Sequence, residues 1–429
     1  MVDVWLPYGK TDVCVRVPAR NLLGTIDPVD RPCAPDAKAE VERALKEPIP
    51  VGSSRLSEIA KSESKVAIVV DDSTRKSPSQ IMLLPVLAEL NLAGVPDENI
   101  TIIFGCGTHR AVKPEEAEAL VGAEVVKRVK TISHDCRAQD LVNLGTTKTY
   151  GNKILVNRVF AEADVKVLLG DVNFHYYAGY GGGRKSVLPA VCGEETINHN
   201  HIMLLHANAR TGNLADNPVH QDMTEAARLA KVDFILNVIE NQKGEVVKAF
   251  AGDLEQAFME AVKLVDEMYH VTIDRRADII VVSAGGYPAD MNLYQAYKAL
   301  DNALDAVKRG GVVILVAECL EGHGHQVFYD WMARIGDLKN IEREIKRNFV
   351  MGGHKSYYLL KALQNHQIFL VSSLPDYYAT SIFKLKTARA VNDALMEAFK
   401  VAGSASRVWA MPQGSHTLPV FKALEETKT

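Results

Sequence analysis

Val66-Ala-Ile-Val-Val70, followed at once by Asp71-Asp72-Ser73-Thr74-Arg75-Lys76, sets the pattern by which this chain is read. A short β-branched run reads as a strand, and the Asp, Ser and Thr behind it read as the loop at its end. Comparable runs recur at residues 100–104, 165–169, 279–282, 312–316 and 368–371, with helical patterns between them. Strands alternating with helices predict an α/β fold of mainly parallel sheets, buried on both faces by flanking helices. Ligands of such sheets bind beyond the carboxyl ends of the strands. Three loops there carry reactive side chains: residues 71–76, then Gly105-Cys106-Gly107-Thr108-His109-Arg110, then Gly170-Asp171-Val172-Asn173-Phe174-His175. They are expected to converge on one crevice.

The chain has 429 residues, 47% hydrophobic and 24% charged, enough for a large core and about two domains. Near residue 270 the pattern changes. Val271-Thr-Ile-Asp-Arg-Arg-Ala-Asp reads as a crossing point before Ile279-Ile-Val-Val-Ser-Ala-Gly-Gly286-Tyr-Pro288, which opens a second α/β unit. The expected division is 1–272 and 273–403, with 404–429 packing back on the first domain and the active site in the crevice between the two. The charged end, 425–429, is expected to fray. In the second unit, Asn292-Leu-Tyr294-Gln295-Ala-Tyr-Lys298-Ala-Leu300 reads as a helix with Tyr294 and Lys298 on one face and Gln295 beside them.

A net charge of −4 without dense Lys/Arg clusters argues against nucleic acid or an anionic membrane as the main partner. The amino terminus lacks a basic segment followed by an apolar one, and no run of about 18 apolar residues occurs, so a cytoplasmic protein is expected. Cys14, Cys33, Cys106, Cys136, Cys192 and Cys319 show no C-x-x-C spacing, which suggests neither a disulfide framework nor a thiolate metal site.

The densest chemistry lies in His175-Tyr-Tyr-Ala-Gly-Tyr-Gly-Gly-Gly-Arg-Lys185-Ser and Cys192-Gly-Glu-Glu-Thr-Ile-Asn-His-Asn-His201. The glycines admit a bulky bound group, the lysine offers an amine for covalent capture, and the histidines offer proton transfer or metal ligation. A phosphate-binding P-loop would need Gly where Arg184 stands, directly off its strand. A zinc hydrolase using His199, His201 and His206 is the alternative of another class; no cysteine pair or H-E-x-x-H supports it. His134, His220, His270, His366 and His416 read as structural histidines. Glu318, His323 and His325 follow another strand and read equally as pocket wall or surface loop.

Taken together, Asp72-Ser-Thr-Arg75, Gly107-Thr-His109, the His175 to Lys185 stretch, Asn200-His201 and Gly286-Tyr-Pro-Ala-Asp-Met-Asn-Leu-Tyr294-Gln295-Ala-Tyr-Lys298 resemble the nickel-dependent lactate racemase family. These are 2-hydroxy acid racemases that carry a nickel-pincer nucleotide. The resemblance implies that the first domain binds this cofactor, that Lys185 tethers it through a thioamide and that His201 completes nickel coordination. It further implies that His109 and His175 are the acid/base pair and that Asp72, Ser73, Thr74 and Arg75 contact the cofactor. Arg75, Tyr294, Gln295 and Lys298 are implied for substrate, with cofactor-synthesis proteins as partners. Lactate is the default substrate; an aromatic, longer aliphatic, dicarboxylic or sugar acid would use the same core residues. Some members carry Trp near the positions of Tyr357 and Tyr358, so selectivity here can differ.

Elementary chemistry favours the same division of labour. Removing a proton from the Cα of a 2-hydroxy carboxylate would place a carbanion beside an anion with nothing to delocalise it. Moving a hydride avoids that charge: one histidine takes the hydroxyl proton as hydride leaves, giving a bound 2-keto acid that can be reduced on its other face. The two enantiomers point their hydroxyls to different sides, so two bases are needed. A non-catalytic module holding a small anion is the remaining contrast, and it requires neither histidine.

Overall fold

The computed structural model describes residues 1–75 and 77–421; Lys76 and the expected fraying end at 425–429 lie outside the described residues. Two compact units are present, 30–268 and 1–29 with 269–429.

In the unit 30–268 a six-stranded sheet runs in the order Val246–Gly252, Phe234–Glu240, Val165–Asp171, Val66–Asp71, Ile100–Gly105, Lys130–Ser133. All neighbours are parallel except the antiparallel pair at the first edge. The strand Val66–Asp71 is buried up to its last residue, Asp71, which is half-buried. One face of the strands, with Ile68, Val70 and Ile102, packs on Met82, Leu83, Val86 and Leu87 of the helix Ser79–Leu92. Each such buried aliphatic side chain stabilises the unit by about 1.5–3 kcal/mol. The short turn Gly183–Ser186 packs on Val66–Asp71, Val165–Asp171 and Phe234–Glu240, which fixes Lys185 over neighbouring strands.

The other unit holds a second six-stranded sheet, entirely parallel, in the order Lys386–Thr387, Gln367–Val371, Val307–Val316, Ala277–Ser283, Val408–Met411, Leu22–Thr25. All six runs read as strands from the sequence lie within strands of the two sheets. The α/β class and the two-domain build stand as expected.

The assignment of the chain ends is corrected. Residues 1–29, expected in the first domain, belong with the second unit. The hairpin Val2–Tyr8 with Thr11–Val17 buries Val4, Leu6, Val15 and Val17 in that unit's core, and Leu22–Thr25 forms the edge of its sheet. Residues from 404, expected to return to the first domain, supply Val408–Met411 between Ala277–Ser283 and Leu22–Thr25. They also supply Leu418–Phe421, paired with His270–Ile273. The apolar stripe of each end is completed by partners hundreds of residues away, and chain order carries no trace of that. Among the described residues, no helix is long and apolar enough to cross a membrane.

Candidate active site

The adjacent strands ending at Asp71, Gly105 and Asp171 deliver their loops side by side, since Asp71 pairs in register with Gly105 and Val69 with Leu168. After the first strand the chain turns tightly, Arg75 N–H donating to Asp72 O at 3.1 Å. This turn holds the Asp72 carboxylate, 3% exposed, against the second loop. His109 Nδ1 lies 2.7 Å from Asp72 Oδ2, while Thr74 donates to Asp72 Oδ1 from its backbone N–H at 3.0 Å and its hydroxyl at 2.6 Å. Burial works to raise the Asp72 carboxyl, but the hydrogen bonds from His109 and Thr74 outweigh it and hold it below the usual value. A carboxylate at that distance requires the proton on Nδ1, which leaves Nε2 as the basic nitrogen of His109. Gly107, at φ +51°, donates to Ala190 O at 2.9 Å and so ties this loop to the segment just past Lys185.

His175 sits on a two-residue strand, Phe174–His175, paired with Gly179–Tyr180. Its Nδ1 accepts from Ala178 N–H at 3.3 Å, which puts the proton of the neutral ring on Nε2. The two candidate acid/base histidines are thus held in opposite tautomers by their own surroundings. Tyr177 joins the remaining groups: its ring centroid is 4.4 Å from His175, 5.3 Å from His201 and 6.0 Å from Lys185 Nζ.

Lys185 follows the glycines, and their lack of a side chain is required there. A Cβ at Gly182, where φ is +74°, would stand 2.7 Å from Val172 Cγ2, and one at Gly183 would stand 2.9 Å from the Phe258 ring. Arg184, 2% exposed, clamps the loop by donating to the carbonyls of Ala178 and Tyr180 at 2.9 Å and to His220 Nδ1 at 2.9 Å, with its guanidinium 4.4 Å from the Phe258 centroid. Burial, then the positive charges of Arg75 and Arg184, hold the Lys185 amine well below its ordinary value, against the pull of Asp71. Lowering an amine in this way favours its unprotonated, nucleophilic form. Asp71 belongs to a set of carboxyls at three adjacent strand ends. Burial and Asp171 push Asp71 up to about 7, opposed by Arg75, and burial with Asp171 and Asp71 pushes Glu240 up to about 8.

His201 lies on the helix Glu194–Ile202 and is 1% exposed. Burial, then Lys185, lower it to about 3, so the ring is neutral. Asn200 Oδ1 lies 3.1 Å from His201 Nδ1. The Asn200 amide nitrogen donates to Asp222 Oδ2 at 2.9 Å and Val219 O at 3.1 Å, which fixes its oxygen as the end facing His201. Asp222, fully buried, also accepts from Asn152 and Thr147, both at 2.8 Å. This is the arrangement that orients a metal-binding imidazole, with Nδ1–H donated and Nε2 as acceptor. The three histidines weighed for zinc diverge: His199 Nε2 bonds Tyr150 O at 2.9 Å and His206 Nδ1 accepts from Asn208 N–H at 3.1 Å. Among the described residues, no three His, Cys, Asp or Glu form a metal-holding group.

In the other unit, Asn292 caps the helix Leu293–Ala303, its side chain accepting from Gln295 N–H at 3.0 Å. Tyr294 and Gln295 are half-buried and Lys298 is exposed. The Tyr294 ring stacks on His325 at 5.0 Å and meets Phe328 and His354 edge-on. His325 is therefore a wall of Tyr294, while His323 stacks on Tyr329 at 5.1 Å. Tyr357 and Tyr358 are buried in the helix Gly353–Asn365.

The structure joins Asp72, Thr74 and His109 directly, and His175, Lys185 and His201 around Tyr177. Arg75 and Ser73 are exposed on the same loop. Sequence reading missed Tyr177, Asp222 and Arg184 as working residues, and it gave Asp72 no part in holding His109. Asp71 and Asp171 were visible at the strand ends, but their mutual influence was not.

A parallel-sheet α/β enzyme with this arrangement has clear relatives. Residues 8–212 match the lactate racemase N-terminal domain and residues 271–418 the lactate racemase C-terminal domain. The chain is 32% identical over 422 residues to a lactate racemase from Thermoanaerobacterium thermosaccharolyticum, covering 96% of this chain and 98% of that one. It is likewise 32% identical over 424 residues to a lactate racemase from Lactiplantibacillus plantarum, covering 96% and 99%. The solved lactate racemase apoprotein from T. thermosaccharolyticum superposes with a TM-score of 0.89 at 31% identity, covering 98% of this chain and all of that one. A Thermotoga maritima protein shares the fold at 19% identity, TM-score 0.64, covering 90% and 97%. The chain belongs to the lactate racemase family and is an isomerase of the racemase type.

Proposed function

We propose that this racemase interconverts the D and L forms of a 2-hydroxy acid, with lactate as the first substrate to test, using a nickel-pincer nucleotide tethered to Lys185. The observation that carries the reading is the pair of imidazoles held in opposite tautomers on the loops past two parallel strands, together with a buried lysine whose amine is held well below its ordinary value. The residues fit such a group. The surroundings of the Lys185 amine favour its unprotonated form, the form acylation requires, and the neutral His201, oriented by Asn200, fits a metal ligand. When bound, the group supplies a hydride acceptor and donor. Asp72, Ser73, Thr74 and Arg75 are assigned to its nearer contacts, and nickel-pincer synthesis proteins are the implied partners in a cytoplasmic setting.

In this reading His109 accepts the hydroxyl proton of one enantiomer through Nε2, while Asp72 stabilises the imidazolium that forms. His175 enters the step as an imidazolium, having taken a second proton from solvent at Nδ1 in place of the bond from Ala178 N–H; it gives its Nε2 proton to the oxygen of the keto acid from the other side and is left neutral. After one inversion the two rings have exchanged protonation states, which is what the reverse reaction needs. Arg75 grips the carboxylate with paired hydrogen bonds, and Tyr294, Gln295 and Lys298 are assigned further substrate contacts. The test is protein made beside the synthesis machinery and given D-lactate deuterated at C2. Racemisation with deuterium retained, and a mononucleotide adduct on Lys185 by intact mass, is the expected result. Free loss of deuterium to water would refute the hydride reading.

A further inference from the structure

The unit 1–29 with 269–429 buries a second lysine that the racemase reading leaves unused. Lys355, at the start of the helix Gly353–Asn365, is 1% exposed. Its Nζ lies 4.6 Å from the ring centroid of Tyr297 and 5.3 Å from that of Tyr294, so the amine sits over two rings one turn apart on the helix Leu293–Ala303. Lys298 stands on that same helix, adjacent in sequence to Tyr297 and one turn beyond Tyr294. A buried ammonium is costly unless surrounded by compensating groups, and two tyrosine faces supply part of that compensation.

Burial, then the charge of Lys298, lower Lys355 to about 7, while Asp301 opposes them. From Leu293–Ala303 come Tyr294, Tyr297, Lys298 and Asp301; the rings of His325 and His354 contact Tyr294, Tyr358 packs on Tyr297, and His416 is held near 4 by burial and Lys298. Glu342 acts on Tyr357 instead.

We propose that Lys355 is a positioning residue for anion binding at Lys298: clamped over Tyr294 and Tyr297, it gains a proton from solvent when a carboxylate settles on Lys298. The physical reason is reciprocity. Lys298 repels a proton from Lys355, an arriving carboxylate cancels that repulsion, and the protonated Lys355 in turn adds attraction for the anion. Above neutral pH the proton must be imported, so affinity falls by up to about tenfold per pH unit. This inference rests on the assignment of Lys298 to substrate binding, and takes the anion it meets to be the substrate's carboxylate.

The experiment pairs a direct titration with kinetics. In lysine labelled with carbon-13 at Cε, the Lys355 signal of the apoprotein is expected to titrate near neutrality and to move upward in K298M. A Lys355 signal titrating near its ordinary 10.5 overturns the inference. In the loaded enzyme, KM for lactate is expected to rise with pH above about 7 in the wild type and to be flat in K355M, whose apolar side chain of similar length fills the same space. K355R, permanently charged, is expected to restore a low KM without the pH step. A KM slope in K355M equal to the wild type also overturns it. A coupled lysine pair together with an unchanged lactate KM in K298M overturns the substrate assignment of Lys298 instead, an outcome the titration alone distinguishes.

Discussion

The two compact units present the same kind of sheet edge and use it differently. In 30–268 the strand ends carry Asp71, Asp171 and Glu240, and the loops beyond them carry His109 and His175. In the other unit the corresponding ends are closed by structural bonds: Ser283 Oγ accepts from Gly285 N–H at 3.0 Å, Ser372 Oγ donates to Glu318 O at 3.1 Å, and Asp290 Oδ2 accepts from Gly9 N–H at 2.6 Å and Glu318 N–H at 3.1 Å. There the polar side chains of interest ride on a helix, with an aromatic and histidine wall behind them. The comparison teaches that parallel topology fixes where loops converge, whereas the loop residues decide whether that place holds chemistry or mortar.

If the unit 30–268 holds the chemistry, the largest effect follows from Lys185→Ala: loss of the covalent adduct and of all detectable racemisation, read by intact mass and chiral analysis. His109→Ala and His175→Ala should each lower kcat by roughly 10³-fold with the adduct retained. Normal turnover in either would move the chemistry away from these strand ends. Asp72→Asn should cost about 10²-fold in kcat, because an amide can present its N–H to Nδ1 and favour the wrong tautomer. If the other unit contributes binding, Lys298→Ala should raise KM about tenfold with a smaller change in kcat, measured at saturating and limiting lactate. An equal loss in both constants would assign the helix to the reaction itself.

The smallest effect concerns stability. Burial, with nearby positive charge, lowers His201 and His220 to about 3 in one unit and His416 to about 4 in the other. Each stays neutral when folded but takes up a proton when unfolded below about pH 6.5, so the unfolded state binds more protons and stability falls as pH drops from there toward the folded value. Urea unfolding of the apoprotein should show this, and His220→Gln should flatten the slope by about 1.4 kcal/mol per pH unit. A slope unchanged in that variant would remove His220 from the acid sensitivity.

Much of this is legible in the sequence. Apolar runs at 66–70, 100–104 and 165–169 announced buried parallel strands, and Asp72, His109 and His175 were conspicuous because each follows such a run within a few residues. The Lys185 glycines were conspicuous for the same local reason. What escaped were relations between distant residues: Tyr177 as the hub, Asp222 behind Asn200, Arg184 as the clamp on its own loop, and Lys355 beneath Tyr294. Arg184 looked like a defect in a phosphate-loop motif, yet its guanidinium is taken up by backbone carbonyls that exist only once the loop has folded.

Sequence alone determined the α/β class, the strands and the reactive residue types, because hydrophobic period and loop composition are local properties of a chain. Tertiary structure decided which unit owns the chain ends, which nitrogen of each imidazole carries its proton, and how far the Lys185 amine is depressed. Those depend on burial and on groups brought together from separate loops, where solvent exclusion and distance, rather than neighbouring letters, set the energy.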